Sequence, residues 1–189
     1  MNNDGYLKLI IGPMYAGKST ELIRNIDKFT YLSKKILVIN HEFNNRYNSI
    51  NLTTHSGYSH DNCIVVKYLK DVQDKYAEEF YNADVLIIDE LQFFDDALTY
   101  IPQWCDCKKK YVVASGLSGN SDKKPIGHVL DLIPHADELI HLKALCSKCC
   151  DGTPAFLSKK IINNNSNVLV GSTETYVAVC RKHFTNYEN

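Results

Sequence analysis

A chain of 189 residues, 44% hydrophobic and 23% charged, suits one soluble globular domain with a small appendage and is long enough to bury a real core. Its formal net charge of −1 argues against a dedicated nucleic-acid binder, and no apolar run approaches the roughly 20 residues that span a bilayer. The opening MNNDGYLK lacks the basic-then-apolar order of a secretory signal, which predicts a cytoplasmic protein whose seven cysteines are ligands or buried thiols rather than disulfides.

Residues 6–11 form a short apolar run ending in glycine, which predicts a buried strand leading into GPMYAGKST. Leu22, Ile23, Ile26 and Phe29 recur at helical spacing and predict a helix over 19–32. Residues 36–39, 85–88 and 111–114 are continuous runs rich in β-branched side chains, the pattern of strands covered on both faces. Helical stretches are expected between them, at about 72–81 and 97–107. The alternation predicts an α/β fold: a P-loop NTPase-like parallel sheet flanked by helices, with ligands at the carboxyl ends of its strands. The polar segment 41–59 reads as a mobile loop, and 117–127 (LSGNSDKKPIG) as a substrate loop directly after a core strand. From Lys143 the composition changes. Four cysteines and a histidine, around an Asn-rich turn at 163–167, predict a second small domain over 143–189 beside a nucleotide-binding domain over 1–142.

Gly12-x-x-x-x-Gly17-Lys18-Ser19 follows a predicted strand and opens a predicted helix. The backbone N–H groups of Gly12, Pro13, Met14, Tyr15, Ala16, Gly17, Lys18, Ser19 and Thr20 (proline excepted) surround a place for phosphate oxygens, and Lys18 adds a full charge. The Ser19 hydroxyl suits Mg²⁺, a hard ion. In LIIDELQFF, four apolar positions deliver Asp89 to the end of a strand, where it can hold hydrated Mg²⁺. Glu90 follows it. In an NTP hydrolase this glutamate activates water; in a kinase it accepts the proton of a substrate hydroxyl.

Cys146-x-x-Cys149 and Cys180-x-x-His183 are two close pairs of zinc ligands on separate turns, the pattern of a closed, structural Cys₃His site. Cys150 breaks the pair spacing and reads as a bystander; Cys63, Cys105 and Cys107 read as packing residues. His128, His135 and His141 read as core or surface residues, while His55 and His60 fall in the polar loop.

These parts together resemble the thymidine kinases of the cytosolic vertebrate, bacterial and poxvirus type, through nearly the whole chain. GPMYAGKST is similar to the family's GPMFSGKST, IDELQFF to its IDEGQFF, and KKPIGHVLDLIP to its KPFG segment; the cysteine pairs match its zinc site. The resemblance implies transfer of the ATP γ-phosphate to the 5′-hydroxyl of thymidine with Mg²⁺, deoxyuridine being a second substrate. Lys18 and the loop backbone would then hold ATP, Ser19 and Asp89 the magnesium, and Glu90 would be the general base. Arg46, which alone reads as a solvated loop arginine, would reach the phosphates. Met14, Phe93, Leu117 and Tyr176, otherwise simply core residues, would line the nucleoside pocket with Val170 and Gly171 of the segment that reads the base through its backbone. The resemblance also implies a homotetramer and feedback inhibition by dTTP, with no membrane or stable nucleic-acid partner. Asn44, Ser121, Ile126 and Leu91 depart from the family pattern without touching Lys18, Asp89 or Glu90. A nucleic-acid-dependent NTPase carrying a zinc ribbon is the alternative, weakened by the missing basic stripe.

Overall fold

The computed structural model describes residues 4–43, 63–161 and 175–185, together with the backbone of two short strands at 52–53 and 59–60. Six parallel strands form its sheet: β1 (Tyr6–Gly12), β2 (Ile36–His41), β5 (Ile64–Val66), β6 (Val85–Ile88), β7 (Tyr111–Leu117) and β8 (Glu138–His141), in the order β5-β2-β6-β7-β1-β8. The helices between them are α1 (Lys18–Tyr31), α2 (Lys70–Lys75), α3 (Ala77–Asn82) and α4 (Ala97–Asp106). The parallel α/β architecture is the one expected, and it follows from the side-chain alternation inside each apolar run. Leu7, Leu9 and Ile11 of β1, Leu37 and Ile39 of β2, Leu86 and Ile88 of β6, and Val112 and Ala114 of β7 share one core with Phe80, Ile101 and Trp104 of α3 and α4. Ile10, Val38, Val85, Ile87 and Val113 face the other way, against Leu22, Ile26 and Phe29 of α1. A run that is apolar at every position can serve both layers, whereas an alternating run could cover only one.

Several expectations need correction. The helix expected over 72–81 is two helices, broken at Tyr76 (φ −128°, ψ 40°), so that Val72 and Phe80 reach the core from separate short segments. Strands β5 and β8 were not anticipated; they are the two edges of the sheet, and β8 is only half covered, with Leu139 45% exposed. In the segment expected as a loop over 41–59, His41 is the last residue of β2, and β3 (Leu52–Thr53) pairs antiparallel with β4 (Ser59–His60). His55 and the Asn-rich turn lie outside the described residues. Cys63 and Cys105 are buried as expected, but Cys107 is exposed just beyond α4 rather than packed in the core.

After β8 the chain turns through Leu142, whose carbonyl lies so near Gly12 that a Cβ there would sit 2.9 Å from its oxygen. Two antiparallel ladders follow, β9 (Ala144–Leu145) with β10 (Pro154–Ala155) and β11 (Leu157–Lys160) with β12 (Tyr176–Val179), then α5 (Arg181–Thr185). Their small core of Ala144, Ala155, Ala178 and Val179 is too slight to stand alone, and Tyr15 and Ala16 of the phosphate loop pack against it.

Candidate active site

The loop between β1 and α1 carries Gly12 through Gly17, and Tyr15 within it takes a left-handed φ of 64°. Lys18 opens α1 and its Nζ donates to the Pro13 carbonyl at 2.8 Å, so the ammonium lies over the loop. Ser19 Oγ donates to Asp89 Oδ2 at 2.9 Å, which joins the phosphate loop to the end of β6 although β7 lies between β1 and β6 in the sheet. That intervening strand contributes Ser115, fully buried, whose Oγ donates to Asp89 Oδ1 at 2.5 Å; the Glu90 N–H donates to the same oxygen at 2.9 Å. Asp89 is thus aimed by three donors while only 4% exposed. A hydroxyl and a carboxylate side by side at the rim of a phosphate loop are the oxygen donors that Mg²⁺ takes.

Glu90 sits in the left-handed region (φ 54°, ψ 41°), where the chain turns sharply out of β6 into a single 3-10 turn, Leu91–Phe93. The Gln92 side chain donates through Nε2 to Glu90 Oε2 and accepts the Leu117 N–H through Oε1 at 3.1 Å. Met14, Leu117 and Tyr176 form a buried cluster, with Ile126 and Tyr15 packed against it. This brings together residues from the phosphate loop, the end of β7 and the small lobe. Burial first, and then the charge of Asp122, raise the Tyr176 phenol above its ordinary value, which sets the loop after β7 beside that cluster. Lys123 of the same loop lies 4.7 Å from the Phe184 ring centre on α5. Asn120 holds the loop together, its Oδ1 accepting the N–H groups of Asp122 and Lys124 at 2.9 Å. The Phe93 ring lies 5.6 Å from the His41 ring and 5.9 Å from that of Phe43. Arg46, Val170, Gly171 and the departure at Asn44 lie outside the described residues. Of the other departures, Leu91 is fully buried in the main core and Ile126 fills space against the Met14 cluster.

The lobe's four expected ligands do converge: Cys146, Cys149, Cys180 and His183 present donor atoms all within 4.8 Å of one another. His183 Nδ1 lies 3.6, 3.3 and 3.4 Å from the sulfurs of Cys146, Cys149 and Cys180, and Cys149 Sγ lies 3.9 Å from Cys180 Sγ. A tetrahedral zinc ion with bonds of about 2.3 Å to sulfur and about 2.0 Å to nitrogen places its donors about 3.5–3.8 Å apart, so the set fits. Burial acts to raise the Cys146 thiol, but N–H groups of Cys180, Lys148 and Cys149 outweigh it and bring it down to about 6; burial and the neighbouring thiols push Cys149 up to about 11. Cys150 is outside the cluster, its sulfur donating to the Ser147 carbonyl.

Comparison with known proteins decides among the chemistries that a phosphate loop can serve. The family model described as thymidine kinase matches residues 5–184. The chain belongs to the thymidine kinase family. Its similarity to a rice thymidine kinase is 36% identity over 182 residues, covering 95% of this chain and 66% of the rice protein. It is 32% identical to thymidine kinase 1 of Dictyostelium discoideum over 185 residues (98% of this chain, 80% of that one). To the variola virus thymidine kinase it is 34% identical over 180 residues, covering 95% and 97% of the two chains. The zinc-ribbon NTPase alternative is not favoured by this membership.

Sequence reasoning missed four residues of this thymidine kinase family site. Ser115 left a trace, a hydroxyl inside an otherwise apolar strand. Gln92 and His41 were polar residues at strand exits with no spacing to interpret. Ser158 of β11 accepts the Met14 N–H at 3.0 Å from 144 residues away, and a contact of that kind leaves no local pattern.

Proposed function

We infer that the chain transfers the γ-phosphoryl group of ATP to the 5′-hydroxyl of thymidine, and to deoxyuridine as a second substrate. The observation that carries this reading is the Ser19–Asp89–Glu90 arrangement at the phosphate loop of a chain matched almost end to end by the thymidine kinase family. Lys18 and the N–H groups around Gly12–Lys18 hold the phosphates, and Arg46 offsets charge on the transferring group. Ser19 and Asp89 hold Mg²⁺, which when bound neutralises charge on the phosphate chain. Glu90 accepts the 5′-hydroxyl proton as that oxygen bonds to the γ-phosphorus and the bond to the β,γ-bridging oxygen breaks. Met14, Leu117 and Tyr176, with Phe93, Val170 and Gly171, exclude water around the nucleoside and so favour a hydroxyl over water as acceptor. Zinc at Cys146, Cys149, Cys180 and His183 is structural, because four protein ligands leave no open position.

The remaining parts of the reading are a nucleotide-binding domain over 1–142, a zinc lobe over 143–189, a cytoplasmic homotetramer, and dTTP as feedback inhibitor. No helix among the described residues is long and apolar enough to cross a membrane. The test is a nucleoside panel at saturating ATP and Mg²⁺ with wild-type protein and Glu90→Gln. Thymidine-dependent ADP release is expected from the first; the second should bind ATP normally with kcat lowered at least about 100-fold. ATP hydrolysis stimulated by single-stranded DNA, with no phosphorylated nucleoside, would overturn the reading.

A further inference from the structure

We propose that Gln92 is a positioning residue that couples the substrate loop to the general base; this rests on the reading of Glu90 as that base. Gln92 is 4% exposed and lies on the 3-10 turn after β6. Its amide has two unlike ends, and the surroundings leave one orientation. A backbone N–H can meet only the oxygen, so the Leu117 N–H at 3.1 Å takes Oε1 and the NH₂ group is left to face Glu90 Oε2.

The main chain of Gln92 is engaged as well. Gly127, at the far end of the substrate loop, has φ +51°, and a Cβ there would lie 2.3 Å from the Gln92 carbonyl oxygen. Only glycine lets the loop settle so close to that peptide. The loop begins at Leu117 and returns at Gly127, and both anchor points meet the same residue, which in turn holds the base. A loop seated over the nucleoside therefore fixes Gln92, and Gln92 fixes the rotation of the Glu90 carboxylate. A displaced loop releases both.

The experiment measures kcat and KM for thymidine at saturating ATP and Mg²⁺ in Gln92→Met, which keeps length but donates nothing, in Gln92→Glu, which sets a second carboxylate beside the first, and in Gly127→Ala, which pushes the loop off the Gln92 peptide. All three should lower kcat, and in the Gln92 variants by more than KM for thymidine rises, a split that a merely loosened fold would not give. Their kcat should fall about 10–100-fold, while ATP affinity, read by equilibrium binding, stays within about twofold. Gly127→Ala leaves Gln92 in place, so it tests the coupling even if neither Gln92 variant folds. A kcat within about threefold of wild type in every folded variant overturns the inference. Glu90→Gln, run alongside, separates the two readings: near-normal turnover in it removes Glu90 as base and the coupling with it. An inactive Glu90→Gln beside unaffected Gln92 and Gly127 variants removes only the coupling.

Discussion

His41 shows how one side chain can hold three segments at once. Its ring is 2% exposed at the end of β2, with Nδ1 accepting the Phe43 N–H at 3.1 Å and Nε2 facing the Lys67 carbonyl at 3.1 Å. The first bond requires an unprotonated Nδ1, so the neutral ring with its proton on Nε2 satisfies both partners. The ring also meets the edge of Phe94 at 4.8 Å and lies beside Phe93, and so supports the turn that carries Gln92. Burial lowers its pKa below the ordinary histidine value, against the weaker pull of the Lys67 carbonyl and the charges of Glu42, Asp95 and Asp96. The unfolded chain binds a proton near pH 6.5, while the folded chain resists it until lower pH. Stability from this site is therefore complete above about 6.5 and is lost as pH falls through the folded value. His41→Phe should flatten the fall in urea midpoint between about pH 7 and 5; an unchanged slope would exclude His41 as the titrating group. The placement of Lys18 and Ser19, and of Asp89 and Glu90, at the rim of the phosphate loop was legible because each pair belongs to a short motif read locally. The residues whose roles were not legible, Ser115, Gln92, His41 and Ser158, act on partners supplied by other elements.

Among the elements, β11 has the role least expected of a strand in a small lobe. Its Ser158, 3% exposed, takes the Met14 N–H, an orphan of the phosphate loop with no partner inside the loop or in α1. Ser158→Ala should leave that buried N–H unsatisfied and cost about 1–3 kcal/mol of unfolding free energy; on the proposal that Met14 lines the nucleoside pocket, KM for thymidine should rise with it. Ser158→Thr, which keeps the hydroxyl, should restore most of both; failure of the rescue with a wild-type melt in Ser158→Ala would show the bond to be idle. The central strands were legible because their runs are continuously apolar or nearly so, Lys8 of β1 and Ser115 of β7 being the polar positions within them. The edges were not: β5 is three residues long, and β8 mixes Glu138 and His141 with Leu139 and Ile140 because only one side of it is covered. Helices α2 and α3 share one sequence period, which does not register the break in backbone angles at Tyr76.

At the scale of the whole molecule, the metal cluster and the phosphate loop are parts of one structure. Tyr15 and Ala16 pack on the lobe's core, Met14 bonds to β11 and packs on Tyr176, and Lys123 reaches Phe184 from the substrate loop. Zinc chelation, or Cys149→Ser, should therefore lower the melting temperature, remove bound zinc and weaken thymidine binding together. Retention of full metal content and an unchanged melt in Cys149→Ser would show that the ligand set is wrong. The change of composition near Lys143 pointed to a separate lobe, but nothing local could show how much of that segment packs on the phosphate loop.

The same chain order has a consequence during synthesis. All six strands of the sheet precede Leu142, whereas Ser158, Tyr176 and the four metal ligands follow it. A nascent chain can thus complete its sheet while Met14 still lacks both the Ser158 hydroxyl and its packing against Tyr176. At ordinary translation speeds the interval lasts on the order of seconds. Through it the phosphate loop is without the contacts that hold its folded shape, and these arrive only with the segment that carries the last cysteine and histidine.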